Sequence, residues 1–273
     1  MTTQAEKAAR FSALHQGPKA FVIANAWDAG SARILEKLGF QAIATSSGAA
    51  ANTLARMDGQ VTREEALAHC RAVVSGTDLP VSADLEKCFA DEPKAAAETI
   101  RLAGGTGLVG GSIEDASGNR DKPIYDFDLA LERVAAAVEA ARSLPFKFTL
   151  TARTENFLRG RPDLEDTIRR LQAFEKAGAD VLMAPGLPDL ASVKQVCASL
   201  KKPFNFMAGI PKKSFTVAEL EAAGVRRVSI ATSFYRAAMD GLVLAAREVQ
   251  EKGSFGYLER ILPGAELAGY LKK

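Results

Sequence analysis

The amino-acid sequence predicts an α/β fold: a (β/α)8 TIM-type barrel followed by extra C-terminal helices. Three observations carry that expectation. Eight short apolar runs recur along the 273 residues. Amphipathic helical stretches alternate with them. Several of those stretches end in glycine just before the next run. One barrel of this kind needs about 250 residues. Residues 1–273 are therefore expected to form one domain, with the part from about 253 a terminal helical extension.

The runs are FVIAN (21–25), AIATSS (42–47), PVSADLE (80–86), LVGGSIED (108–115), FKFTLTAR (146–153), DVLMAPG (180–186), PFNFMAG (203–209) and RVSIATS (227–233). Each is continuously or almost continuously apolar, as in strands covered on both faces of a parallel sheet. Between them GSARILEKLG sets Ile34, Leu35 and Leu38 on one side and Arg33, Glu36 and Lys37 on the other. REEALAHCRAVVSG, EPKAAAETIRLAGG, DLALERVAAAVEAARS, DLEDTIRRLQAFEKAG, LASVKQVCASL and TVAELEAAG have the same helical periodicity. Asp28 reads as a helix cap, and Thr62 with Glu65 as a capping box. KLGFQAI, LAGGTGLV, KAGADVL and AAGVRRVS place glycine where a helix stops, a position that favours the left-handed backbone. A doubly wound sheet is the competing arrangement, but no GxGxxG follows the first strand. The region SFYRAAMDGLVLAAREVQEKGSFGYLERILPGAELAGYLKK reads as two or three helices. The segment beyond Gly253 is expected at a subunit interface.

Composition narrows the function. Apolar residues make up 47% and charged residues 25%, which suits a globular protein and excludes disorder. The net charge is +2 with no basic block, which argues against nucleic acid. The longest apolar runs are too short to span a membrane. The N-terminus MTTQAEKAARF lacks the apolar centre of a secretory signal, so a cytoplasmic location is expected. Cys70, Cys88 and Cys197 form no CxxC pair and suit a reducing compartment. Cys88 reads as a partly buried bystander. Two histidines, His15 and His69, leave little scope for a histidine triad or a histidine-rich zinc site.

The chemistry gathers at strand ends. Asp84 and Glu86 close the third run, Glu114 and Asp115 the fourth, Arg153 the fifth, and Ser47-Gly48 the second. In a barrel all of these meet at the C-terminal mouth. Asp84 and Glu86, two apart on a strand, should share a face, whereas Glu114 and Asp115 should face opposite ways. Acids at strand ends also cap helices, but convergence from three strands favours a site for a hard divalent cation, Mg2+ or Mn2+. Arg153 can pair with Glu114 or Glu155, bind a carboxylate, or stabilise an enolate oxygen. The backbone at Ser47, Gly48 and Ala49 can approach an anionic oxygen. Asp58 is either turn chemistry or a supporting acid of the site, and Asn205 can donate to a substrate carboxylate.

NAWDAGSARILEKLGFQAIATSSG, LPVSADLE, GLVGGSIED, TARTE, KAGADVLMAPG and GVRRVSIATS, in this order, resemble the isocitrate lyase/phosphoenolpyruvate mutase superfamily. The resemblance covers about Phe11 to Gly253. It implies a Mg2+-dependent barrel that cleaves or forms C–C or P–C bonds beside a 2-oxo acid. It places the metal-site acids at Asp84, Glu86 and Glu114, with Asp58 as a further acid. It places substrate at Ser47, Gly48, Ala49 and Arg153, and Arg153, Asp58, Ser47 and Gly48 in catalysis. It also implies a homo-oligomer, a dimer or tetramer that exchanges a terminal helix such as SFGYLERIL. The isocitrate-type lyases of that superfamily carry a KKCGH loop after the fourth strand. Here the loop reads ASGNRDKPIYDFD, without Cys or His. Strand six ends Ala184-Pro185-Gly186, without the histidine of the phosphonomutases. The resulting expectation is a C–C lyase of the oxaloacetate decarboxylase type. The alternatives are P–C chemistry on a phosphonate and a silent 2-oxo acid-binding barrel.

Overall fold

Eight parallel strands close on themselves in chain order. They are β1 (Phe21–Ala26), β2 (Ile43–Thr45), β3 (Val81–Ala83), β4 (Gly110–Glu114), β5 (Thr149–Arg153), β6 (Val181–Met183), β7 (Phe204–Met207) and β8 (Arg227–Ser229). The structure, a computed structural model, describes residues 2–272. All eight apolar runs form the strands expected of them, and the fold is a TIM barrel. Closure is made by β1 against β8, with Phe21 opposite Arg227 and Ile23 opposite Ser229.

Helices surround the barrel. They are α1 (Gln4–Gln16), α2 (Ala29–Lys37), α3 (Ser47–Thr53), α4 (Arg63–Ser75), α5 (Pro93–Gly104), α6 (Phe127–Arg142), α7 (Leu164–Ala177), α8 (Leu190–Ala198), α9 (Val217–Ala222) and α10 (Ser233–Lys252). Asp28 caps α2 through the Ser31 N–H, and Thr62 with Glu65 forms a capping box on α4. The glycines that end four helices, Gly39, Gly107, Gly178 and Gly224, all have φ between +90° and +109°. That backbone is costly for a residue with a Cβ.

The core lies between helices and barrel wall. Leu85, Ile100, Phe148, Leu150, Phe174 and Phe204 are fully buried there, each contributing roughly 1.5–3 kcal/mol. A smaller cluster closes the N-terminal end of the barrel. Phe11 and His15 of α1 pack edge-on to each other and to Phe21.

Three expectations need correction. Strands β2 and β3 are shorter than the apolar runs that mark them. Ser47–Ala49 therefore open helix α3 rather than sit in a loop, because Ser46 caps the helix through the Ala49 N–H. Asp84 and Glu86 stand in the turn after β3, so strand alternation does not orient them. Glu86 there has φ +51°. Leu38 points outward, because α2 ends at Lys37 and leaves Leu38 as an exposed cap. Cys88 is fully rather than partly buried, and burial raises its thiol to about 12, so it is inert.

After α10 come a short 3-10 helix (Gly256–Glu259) and α11 (Gly264–Leu271), which packs against α2. No residue of α10 is buried, although it carries Leu242, Val243, Leu244 and Val249. Phe255, Leu258, Ile261 and Leu262 are exposed as well. Among the described residues no helix is long and apolar enough to cross a membrane.

Candidate active site

The C-terminal mouth of the barrel opens into a cavity of about 710 Å³, a size suited to a small molecule. Asp58, Asp84, Glu86, Glu114, Arg153 and Arg159 line it, together with Ser47 and Gly48. Larger hollows exist on the flank near Phe127 and Arg169, and one of about 730 Å³ at the opposite end of the barrel. The first is also lined by four acids, but it lies outside the barrel mouth, and none of its acids closes a strand.

Asp84 is the hub. Its Oδ2 accepts from Ser47 Oγ at 3.0 Å and from the Ser47 N–H at 3.5 Å. Its Oδ1 accepts from Ser112 Oγ at 3.3 Å and from the Glu86 N–H at 3.4 Å. The Asp84 N–H in turn donates to Thr45 Oγ1 at 3.0 Å. Residues from β2, β4 and the start of α3 thus orient one carboxylate.

Glu114 ends β4 and turns into the mouth. Asp115, the next residue, turns the other way into the wall, as strand alternation requires. There Asp115 accepts from the Glu155 N–H and Thr154 Oγ1, each at 2.8 Å, and pairs with Arg170 at 3.1 Å.

Arg153 is nearly enclosed. Its Nε donates to Glu155, its Nη1 stands 3.4 Å from Glu114, and Asp84 lies 3.9 Å away. Burial disfavours its charge, but Glu155, Glu114 and Asp84 more than offset this and keep the guanidinium charged. Arg159 adds a second guanidinium, 3.6 Å from Glu114 and 3.2 Å from Glu155.

The acids outnumber these cations, and their proton affinities reflect it. Burial, then the charges of Asp84 and Asp58, push the Glu86 carboxyl up to about 7. Burial and Asp84 raise Asp58. Burial raises Glu114, with Arg153 opposing. A crowded set of oxygen donors with too little positive charge suits a hard divalent cation. Among the described residues no three such side chains close on one point as a ready-made cage. The acids ring the cavity instead, an arrangement that leaves room for metal-bound waters and substrate oxygens.

Other expected residues fall as follows. An added Cβ at Gly48 would stand 3.1 Å from Thr232 and 3.4 Å from Asp58 Cγ, so glycine lets Asp58 approach the helix start. The Ala49 N–H is taken by Ser46 and the Ser47 N–H by Asp84, which leaves the Gly48 N–H as the open donor of this turn. Asn205 is the second residue of β7. It lines the cavity floor with its Nδ2 on Ser229 Oγ at 3.0 Å and its Oδ1 accepting from Arg227 Nε at 2.7 Å. The loop after β4 overhangs the cavity through Ala116, Gly118 and Arg120. Sequence reasoning missed Arg159, Arg170 and Arg227. The first two sit on non-strand segments, where a lone arginine carries no signal. Arg227 lies in an apolar run, and a charge there is the one cue the sequence offered.

The chain matches the family described as phosphoenolpyruvate phosphomutase over residues 11–250. A solved structure from Burkholderia cenocepacia J2315, provisionally assigned as a lyase/mutase, is 47% identical, with a TM-score of 0.96, over 99% of this chain and 97% of that one. An uncharacterized protein of Mycobacterium tuberculosis is 30% identical over 96% of this chain and 95% of its own length. The oxaloacetate decarboxylase of Ectopseudomonas mendocina is 27% identical over 87% of this chain and 82% of its own. The same fold, at 21% identity and a TM-score of 0.86 over 99% and 95% of the two chains, occurs in a phosphonopyruvate hydrolase solved with oxalate and Mg++.

Proposed function

The chain belongs to the phosphoenolpyruvate phosphomutase family and its lyase/mutase superfamily, and on that premise we propose that it is a Mg2+-dependent lyase cleaving a C–C bond beside a small 2-oxo acid, in the manner of an oxaloacetate decarboxylase. The observation that carries this reading is the ring of Asp84, Glu86, Glu114 and Asp58 around a cavity that also holds Arg153. Asp84 would hold the ion directly, with Glu86, Glu114 and Asp58 acting through its waters. Mn2+ has the same ligand preference. The bound ion supplies Lewis acidity at the 2-oxo and carboxylate oxygens. Arg153 takes up the negative charge that grows on the 2-oxo oxygen as the bond breaks. The Gly48 N–H, at a helix start, holds a substrate carboxylate beside Ser47, which Asp84 fixes in place. Asp58, at the cavity wall, is placed to pass a proton to the enolate carbon. The Ala116–Asp126 loop excludes water.

The absence of cysteine and histidine from that loop fits this assignment, because loss of CO2 needs no strong base at the breaking bond. The second reading is P–C chemistry on a phosphonate. Arg159 and Arg120 at the rim favour it, since a phosphonate carries more charge than a carboxylate. We further propose that the chain is a cytoplasmic homo-oligomer, with the apolar surface of α10 and the segment after Gly253 at the subunit interface.

The experiment is an assay of oxaloacetate and phosphonopyruvate, with and without Mg2+, on the native chain and on Asp84→Asn. Pyruvate and CO2 formed above the metal-only background, and lost in a folded Asp84→Asn protein, support the lyase. Phosphate from phosphonopyruvate moves the assignment to P–C chemistry. Turnover that survives Asp84→Asn overturns the metal site.

A further inference from the structure

The barrel interior beneath the acid ring is unusual. Such barrels are filled by layers of bulky branched side chains. Here Ala44, Ser82, Ser112, Thr151 and Ser229 line the lower part of the mouth cavity. These residues are small and mostly polar, so the cavity runs down the axis past the bulkier Ile23 and Met183. At its floor lies the Arg227 guanidinium, on a residue only 5% exposed.

Every partner of that guanidinium is neutral. Nε donates to Asn205 Oδ1 at 2.7 Å, and Nη2 to Thr151 Oγ1 at 2.8 Å. Nη1 stands 3.3 Å from His15 Nε2. His15 Nδ1 is 2.8 Å from the Phe11 carbonyl, so it carries the proton and leaves Nε2 to accept. Burial drives His15 down to about 3, so the ring stays neutral at physiological pH. A guanidinium has five N–H bonds, and two of these, one on each terminal nitrogen, have no partner among the described residues. No carboxylate lies within 4 Å of Arg227 among the described residues, in contrast to Arg153 and Arg159 above it. A buried charge without a counter-charge is costly, and burial alone lowers the proton affinity of Arg227 to about 9.

We propose that Arg227, with Thr151 and Asn205 beside it, is a specificity site that anchors the distal carboxylate of a 2-oxo diacid. Arg153 and Thr151 are two residues apart on β5, about 7 Å along the strand. Arg153, Thr151 and Arg227 line one cavity, so a single small molecule can meet both guanidinia. The anchored carboxylate is one the reaction keeps. In a carboxylate leaving as CO2 an oxygen lone pair forms the second C=O while the pair of the breaking bond enters the enolate, and pairing with a guanidinium holds that oxygen pair back. The substrate class is therefore a 4-hydroxy-2-oxo diacid: the hydroxyl proton passes to a cavity carboxylate, the C3–C4 bond breaks, C4 becomes the carbonyl of the departing acid, and the bond's electron pair enters the enolate, which then takes a proton at C3. This inference rests on the C–C lyase reading of the site and replaces its oxaloacetate-type substrate with a longer diacid.

The test is calorimetric binding in the presence of Mg2+, with oxalate, 2-oxopentanoate and 2-oxoglutarate as probes. Oxalate reports the metal and Arg153 end alone. The two five-carbon acids differ only in the distal carboxylate. The native chain should bind 2-oxoglutarate roughly ten- to a hundred-fold more tightly than 2-oxopentanoate, the value of one charge-assisted contact. Arg227→Gln should lose that preference and keep its oxalate affinity, whereas Arg227→Lys should keep part of the preference. Equal affinity of the native chain for the two five-carbon acids overturns the inference, whether or not the variants fold. So does a preference that persists in Arg227→Gln. Failure of the native chain to bind oxalate would instead overturn the lyase reading, and this inference with it.

Discussion

Arg170→Met tests whether the wall behind the site positions the acids in front of it. Arg170 and Asp115 have side-chain exposures of 7% and 1% and pair at 3.1 Å. Arg170 also donates to the Tyr125 carbonyl at 3.0 Å and to Asp166 at 2.7 Å. Methionine keeps the apolar stem and removes only the charge and its donors. Breaking one side of a buried pair costs about 3–5 kcal/mol. Asp115 retains the Glu155 N–H and Thr154 Oγ1 as donors, so the lower end, about 3 kcal/mol, is expected. For a chain of this size that lowers Tm by about 6–12 °C. Urea unfolding followed by circular dichroism gives the free energy. Asp115→Asn and the double variant complete a thermodynamic cycle, in which the double variant should lose less than the sum of the singles. The same loss should lower kcat, because Asp115 holds the backbone of Glu155, and Glu155 holds Arg153. A cost below about 1 kcal/mol, or additive singles, would refute the reasoning that this pair supports the site.

Three further outcomes are expected. Glu86 titrates near 7 in the folded chain against an ordinary 4.5. Its raised value stabilises the ion-free fold below about pH 4.5, and that contribution is lost as pH rises through 7. Added Mg2+ should therefore raise Tm more at pH 8 than at pH 6, and equal shifts would count against Glu86 at the cation site. In Gly110→Ala the new Cβ would stand 2.8 Å from the Thr149 carbonyl and 3.0 Å from Phe11 and Ser82. Because backbone must move, a loss of about 1–3 kcal/mol is expected in a melting experiment, and an unchanged Tm would show that the barrel yields there. Truncation after Gly253 should reduce the assembly size in analytical ultracentrifugation, and an unchanged sedimentation coefficient would exclude that segment from the interface.

What the sequence determined by itself is the frame. Apolar runs of strand length, helical periodicity between them and glycine at helix ends are local patterns, and each reports on burial within a few residues. They gave the eight strands in order, and with them the strand-end position of Asp84, Glu86, Glu114 and Arg153. The resemblance added a family to that frame, and the comparisons bear the family out.

Tertiary structure decided the rest, because side-chain direction and pairing depend on residues distant in sequence. Ser47 reaches Asp84 because β2 and β3 are neighbours, and the helix that starts at Ser47 takes the Ala49 N–H away from the cavity. Arg159 and Arg170 acquire meaning only from Glu114, Glu155 and Asp115, up to 55 residues away. Arg227 shows the limit most clearly. In sequence it is one basic residue at the edge of an apolar run. In the closed barrel it faces Thr151 and His15 from other elements, with no acid among the described residues to neutralise it. Charge balance is a property of the assembled interior, so no local pattern in the chain could have revealed it.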